Sequence, residues 1–367
     1  LPLTRLFFCD PPGNISPQAL KNFGNDVTEL HYISLHDQEP IHLDIHKPLF
    51  DDIIRRNLDL NHKRGPQLQG IITSEKDSDA VDEVCSLYDW KSYYYFYHGW
   101  AAMDWFRGYD KSFLIVPPEQ RQITHSFISP NRIIGGRRDH RILLMYHMLK
   151  NRINRAHISF PKICPVENVP AAIIAKKWKN LYPNIMDTFE QASLPWNMPG
   201  ETGHPMHSCW LSLFDQCAES LVYVSTETVY FGRRHHITEK TFKPICLQMP
   251  WILVAPAGSL EYMRGYGFHT FGDVWNESYD EETNDILRME KIGKLIQDLD
   301  SASTAELQQI HRHVQSAVAH NFRHFYGVDF TNTLWQEFNI MLEQLRTDHR
   351  EFHDKWHHQL ARDVVKW

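Results

Sequence analysis

The 367-residue chain has six cysteines, Cys9, Cys85, Cys164, Cys209, Cys217 and Cys246, and no two of them form a Cys-x-x-Cys pair. Such scattered thiols argue against a zinc module or a disulfide framework and fit a reducing compartment. No apolar run approaches the ~20 residues that a membrane-spanning helix needs. Leu1 to Phe8 carries no cleavage-site pattern of a secretory leader. A net charge of −7 gives no overall basic character that would announce a nucleic-acid binder. No internal repeat and no low-complexity tract occurs. The expectation is a soluble, cytoplasmic monomer that lies on no membrane.

What is present is enough apolar material, 42%, to bury a core in each of two domains. The richest stretch runs from Leu221 to Asp280. Apolar Leu221 to Val224 ends in Ser225-Thr226-Glu227, followed by a loop with Arg233, Arg234, His235 and His236. Thr238 is placed as an N-cap, which puts Glu239 and Lys240 in the first helical turn, with Lys243 one turn on. A second apolar run, Trp251 to Val254, leads to Pro256-Ala257-Gly258 and a helix start at Ser259. Strand, polar loop, helix, strand, glycine turn and helix is the order of a parallel α/β sheet with crossovers. Polar residues gather at the strand ends, where open α/β sheets bind ligands, and a nucleotide diphosphate is the ligand expected there.

Upstream, Arg5 to Cys9 and Leu30 to Leu35 read as strands, and Ser16-Pro17 opens a helix. The second strand stops at His36-Asp37-Gln38-Glu39-Pro40. Asp37 and Glu39 are candidate general bases on a strand-end loop; the alternative is a solvated turn. Lys47 to Leu60 reads as an amphipathic helix, and Gly70 to Thr73 and Phe113 to Val116 as strands. The aromatic run Tyr93 to Trp100 offers either a stacking wall or one buried strand, with His98, Trp100 and Asp104 as cleft candidates.

Residues 132–155 hold seven basic side chains against the single acid Asp139, a local +6 that leaves −13 for the rest. Arg137, Arg138, His140 and Arg141 open a helix there and suit phosphate; a solvated basic face is the alternative. A domain boundary is placed near residue 155. Ala171 to Tyr182 reads as helix, as do 285–299, 304–322 and 331–360. The last carries Leu334, Phe338, Met341, Leu342 and Leu345 on one face. His349, His353 and His357 prolong that face, a spacing that can hold a metal but reads better as a polar helix end.

The string Ser225-Thr226-Glu227, Ile237-Thr238-Glu239-Lys240-Thr241-Phe242 and Pro250-Trp251-Ile252-Leu253-Val254 resembles the donor-site motif of α1,3-fucosyltransferases. With Gly267-Phe268-His269-Thr270-Phe271, Glu277-Ser278-Tyr279-Asp280, His36 to Pro40, His98-Gly99-Trp100, Asp104-Trp105 and Asp139-His140-Arg141, the fuller pattern resembles glycosyltransferases encoded by bacteriophages. The resemblance implies an α/β fold of GT-B architecture, two Rossmann-like domains facing across a cleft. Residues 1–155 would bind the acceptor, 156–330 the nucleotide-sugar, and 331–367 would cross back to the first domain.

Carried over, Glu239 would hold the ribose hydroxyls and Lys240 the diphosphate. Arg233 or Arg234 would neutralise the leaving group without a metal, and Glu227 would position a hydroxyl. Thr238 and Lys243 complete the donor set. Pro244 departs from the pattern and predicts a short or kinked helix. The expected reaction is an inverting, metal- and cofactor-independent transfer from a UDP-sugar. Asp37 is the first choice of base, then Glu39 and Asp104. The favoured acceptor is 5-hydroxymethylcytosine in double-stranded phage DNA, gripped by His98, Trp100, Arg137, Arg138, His140 and Arg141 in the host cytoplasm. The alternatives are a glycan acceptor and a non-catalytic nucleotide- or nucleic-acid-binding protein.

Overall fold

The computed structural model describes residues 32–48, 50–51, 69–108, 112–201 and 209–364. The expected strand at Arg5 to Cys9 and the helix at Ser16 lie outside them. In chain order the strands are β1 (Tyr32–His36), β2 (Gln69–Thr73), β3 (Lys91–Tyr94), β4 (His125–Pro130), β5 (Ala156–Ser159), β6 (Ser220–Thr226) and β7 (Trp251–Val254). The helices are α1 (Asp79–Tyr88), α2 (Tyr97–Arg107), α3 (His140–Lys150), α4 (Ala171–Ala175), α5 (Ile185–Gln191) and α6 (Phe214–Glu219). They continue with α7 (Glu239–Cys246), α8 (Ser259–Gly265), α9 (Asp285–Ser301), α10 (Thr304–Tyr326) and α11 (Val328–Val364). A further helical stretch covers 43–48, in place of the start expected at Lys47.

Two compact units form, residues 1–98 with 332–367, and residues 99–331. Residue 155, where the sequence suggested a boundary, falls inside the second unit. The reason is strand pairing: β4 lies before that point and β5 after it, yet the two are neighbours in one sheet.

The first unit holds a parallel sheet in the order β1-β2-β3. One apolar cluster joins Ile41, Phe50, Ile71, Val81, Val84 and Trp90. Another joins Ile72 and Tyr93 to Met341, with Phe338, Leu342 and Leu345 packed on it. The apolar stripe expected at the C-terminal end of the chain packs with Ile72 and Tyr93 of this sheet. The Tyr93 hydroxyl donates to Asp348 Oδ2 at 3.0 Å, so this tyrosine is structural.

The second unit holds a four-stranded parallel sheet in the order β5-β4-β6-β7. Two sequence expectations fail here. Phe113 to Val116 is no strand: Ser112–Leu114 is a single 3₁₀ turn and Phe113 is exposed. The sheet is instead built on β4, His-Ser-Phe-Ile-Ser-Pro, whose polar alternate residues and terminal proline hide a central strand. Helix α4 also stops at Ala175, short of Tyr182, and passes into a 3₁₀ turn. Among the described residues no helix is long and apolar enough to cross a membrane.

Candidate nucleotide-diphosphate site

Strand β4 connects to β5 on one side, while β6 lies on its other side, so the β4/β6 boundary is the topological switch point of the second sheet. Crossovers on the two sides diverge there and leave a crevice beyond the carboxyl ends of the strands. The loops leaving those two ends are 131–139 and 227–238. Between them they carry most of the residues singled out in the sequence for donor and phosphate binding.

Loop 131–139 turns on Gly135-Gly136. Gly136 sits at φ +58°, in the left-handed region, and a Cβ on Gly135 would meet Glu167 Oε2 at 2.5 Å. The pair therefore allows a tight strand-to-helix turn that ends in Arg137, Arg138 and the start of α3. This glycine turn was legible as Gly-Gly-Arg-Arg, but it gains meaning only once β4 is recognised as the strand ahead of it.

Loop 227–238 is fixed by Glu227, which is fully buried. Its Oε1 accepts from Thr238 N at 3.1 Å and Thr241 Oγ1 at 2.6 Å. Its Oε2 accepts from Thr238 Oγ1 at 2.6 Å and Thr228 N at 3.3 Å. The carboxylate thus ties the end of β6 to the first turn of α7. It is a positioning group, committed to protein donors. Breaking charged hydrogen bonds inside the protein is costly, and Glu227→Gln is expected to lose about 1–3 kcal/mol of stability. Denaturant unfolding of the variant checks this, with an unchanged midpoint as the contrary result.

Thr238 caps α7 as expected, with extended backbone and its hydroxyl 3.5 Å from Lys240 N. Pro244 stands inside this eight-residue helix, which is short as the proline implied. The first turn presents Glu239, 5% exposed, and Lys240, whose Nζ lies 2.8 Å from Glu239 Oε1, 3.1 Å from Thr238 Oγ1 and 3.2 Å from Thr228 Oγ1.

From the β4 side, Arg141 is buried and donates to Ile133 O at 2.8 Å and Thr226 O at 3.2 Å. His140 is also buried, its Nε2 3.1 Å from Glu227 O and its ring stacked on Tyr230. Two of the side chains expected to grip an acceptor therefore join the two loops instead.

Cations crowd this edge. Arg137 is held below its ordinary pKa by burial and by Arg234 beside it. Burial and Arg138 bring Arg141 down to about 10, against the pull of Glu227 and Glu239. Burial brings Lys243 down to about 8, with Glu239 opposing and Lys240 reinforcing the shift. Arg233 is exposed on the same loop. Ser225 Oγ, Thr226 Oγ1 and Arg141 Nε are buried at the strand end without a hydrogen-bond partner among the described residues. Buried polar atoms in that state mark places that a ligand or water completes.

The Lys243 shift predicts a pH dependence. A folded pKa below the unfolded one means the unfolded chain holds a proton that the folded chain has lost between about pH 8 and about pH 10.5. Stability should rise with pH across that window and carry the full cost of the buried charge below it. Lys243→Met is expected to unfold at higher denaturant than the parent at pH 7, by about 1–3 kcal/mol, with the advantage fading by pH 10. A pH-independent difference would contradict it.

The other candidates are placed elsewhere. Asp37 and His98 lie in the first unit, beyond the carboxyl ends of its parallel strands. Asp37 is buried, its Oδ2 accepting from the Tyr95 hydroxyl at 2.6 Å and its carbonyl from Ser74 Oγ at 2.6 Å. The sequence places Tyr95 in an aromatic run, wall or buried strand, and gives no sign that its hydroxyl meets Asp37. His98 is buried with Nε2 3.0 Å from Gln38 O. His36 beside this loop is held neutral, burial and then His46 pushing it to about 3. Glu39 is exposed, as is Asp104 on α2, where Trp100 is half-buried. The side chains of α11 beyond residue 352, including His353 and His357, lie outside the described residues.

In the resembling segments Gly267 to Phe271 and Glu277 to Asp280, two carboxylates bond to backbone amides. Glu277 Oε1 accepts from Phe271 N at 2.7 Å, and Asp280 accepts from Leu260 N at 3.0 Å and Glu261 N at 3.3 Å at the start of α8.

No protein-family model matches the chain, and no curated protein does. Among solved structures it is similar to a mutant of S. aureus TarM in complex with fondaparinux, alpha-GlcNAc-glycerol and UDP. That match has 12% identity and a TM-score of 0.42, and covers 92% of this chain and 55% of that one. The chain thus spans about half the length of that protein.

Proposed function

We propose that the chain is a glycosyltransferase that moves a sugar from a nucleotide-diphosphate sugar, with UDP-sugar favoured, to a hydroxyl acceptor. The observation that carries this is that the two loops at the switch point of a parallel sheet bring Arg137 beside Arg234 and Arg138 beside Arg141, while Lys240 and Lys243 of α7 stand by Glu239. A diphosphate suits such an edge for two reasons. Helix N-termini present unpaired N–H groups and a partial positive charge. Fixed cations also stabilise the charge that develops on a leaving diphosphate. Glu239, the acid of that turn, paired with Lys240 Nζ, is the group proposed to take the ribose hydroxyls.

In the proposed step the acceptor oxygen bonds to the anomeric carbon as its proton passes to a general base. The bond from that carbon to the diphosphate oxygen breaks, and its electron pair leaves with the nucleotide. Asp37 is the proposed base, Glu39 and Asp104 the alternatives, and the displacement is proposed as a single inverting one that needs no metal.

The reading of a DNA acceptor draws on the resemblance and on the basic segment 132–155 beside the aromatic stretch Tyr93 to Trp105. In the fold Arg141 is buried, and Arg155 is spent at the opposite end of α3 on Ala302 O and on Thr304 Oγ1 at 3.0 Å. That division favours a glycan or other small hydroxyl acceptor over duplex DNA. The test is nucleotide release and product mass over a panel of nucleotide-sugars, with oligosaccharides, unmodified duplex and 5-hydroxymethylcytosine duplex as acceptors. Transfer to the modified duplex that falls steeply between 50 and 200 mM salt would restore the DNA reading, since each neutralised phosphate steepens the salt dependence. Nucleotide binding without transfer to any acceptor would point to a non-catalytic nucleotide-binding protein.

A further inference from the structure

At the opposite, amino-terminal edge of the second sheet, three side chains from three neighbouring elements meet. His125 is the first residue of β4, His157 the second of β5, and Glu219 the last of α6, just ahead of β6. The two imidazole rings stack with centroids 3.9 Å apart. Glu219 Oε2 lies 3.3 Å from His157 Nε2 and 3.8 Å from His125 Nδ1, and the three donor atoms all fall within 4.8 Å of one another. Among the described residues this is the one group of three or more His, Cys, Asp or Glu close enough to share a metal ion.

We propose that His125, His157 and Glu219 form a divalent transition-metal site, with Zn²⁺ as the favoured ion. Metal–ligand bonds of about 2.0–2.1 Å in a tetrahedron put neighbouring donors about 3.3 Å apart. The His157–Glu219 pair already has that spacing; the His125–Glu219 pair must close by about half an ångström and the His125–His157 pair, within 4.8 Å, must converge too, so binding turns the exposed carboxylate and swings one imidazole out of the present stack. Two neutral imidazoles and one carboxylate are a nitrogen–oxygen set that suits Zn²⁺, Ni²⁺ or Cu²⁺ over Mg²⁺ or Ca²⁺. Three protein ligands leave one position for water.

The protein partner that a metal would displace is the Thr124 hydroxyl, 2.9 Å from His125 Nδ1. Arg155 is the nearby cation, and its guanidinium is turned to Thr124 O, Ala302 O and Thr304 Oγ1. A bound ion would join β4, β5 and the α6–β6 junction at the end of the sheet away from the switch point, so its role is to fasten that edge. The site stands independently of the sugar-transfer proposal.

The test is calorimetric titration of the chelator-treated full chain with Zn²⁺, paired with thermal unfolding. With 23 histidines in the chain, weak background binding is expected and variants must decide. The expected result is one tight equivalent that raises the melting temperature. Its affinity should fall at least tenfold in His157→Ala and in Glu219→Gln, and stay unchanged in the control His349→Ala. Both ligand variants change partly exposed side chains, and circular dichroism reports their folding. Absence of a tight equivalent, or one indifferent to both substitutions, would overturn the proposal.

Discussion

Asp37→Asn is expected to lower sugar transfer by about 10²–10⁴-fold, the range a positioned general base contributes. The substitution keeps the shape and an oxygen that can still accept from the Tyr95 hydroxyl, so the loop after β1 should keep its form. Nucleotide affinity should stay within about twofold, because the cationic edge belongs to the other compact unit. The pattern to look for is a fall in kcat with little change in donor KM. Tyr95→Phe offers a graded companion. Without that phenol the carboxylate becomes a stronger base, and the pH profile of transfer should move to higher pH. Full activity in Asp37→Asn, with loss in Glu39→Gln or Asp104→Asn, would move the base to one of those residues.

The second large effect concerns the donor. Replacing Lys240 and Arg234 together by alanine is expected to weaken nucleoside-diphosphate binding about 100-fold, on the basis that each charge-assisted contact contributes about 1.5–3 kcal/mol at most and surface screening reduces it. Single replacements should each cost about tenfold. Lys240 is held by Glu239, Thr238 and Thr228, so its removal also frees the Glu239 carboxylate to repel the phosphates. Lys240→Arg, which keeps the charge, should recover most of the loss. Titration with UDP, GDP, CDP and ADP gives both the affinity and the base preference. Equal affinities in parent and double variant would remove the diphosphate from this edge.

Much of the second unit could be read from local pattern. Thr238 as cap, the short helix that contains Pro244, the strand Trp251 to Val254 and the helix after Gly258 all form as expected, because each depends on a few adjacent residues. What escaped depended on partners far along the chain. Strand β4 has the polar alternation of an edge, yet it is central, since β5 and β6 flank it only after two long connections. Missing it hid the glycine turn at Gly135-Gly136 and put a domain boundary through the middle of a sheet. The sequence singled out Glu227 for the donor and His140 and Arg141 for the acceptor, but residue type says nothing of direction. Each is turned inward to hold the two loops together, 86 residues apart between Arg141 and Glu227. The cluster of His125, His157 and Glu219 has no sequence spacing at all and exists only through sheet order.

A nucleoside diphosphate seated at the β4/β6 switch point should be visible in amide hydrogen exchange of the full chain with and without saturating UDP. Slowed exchange is expected in residues 134–141 and 227–241 together, with the His125 edge unaffected. Protection confined to other segments, or none at a concentration where binding is saturated, would contradict it.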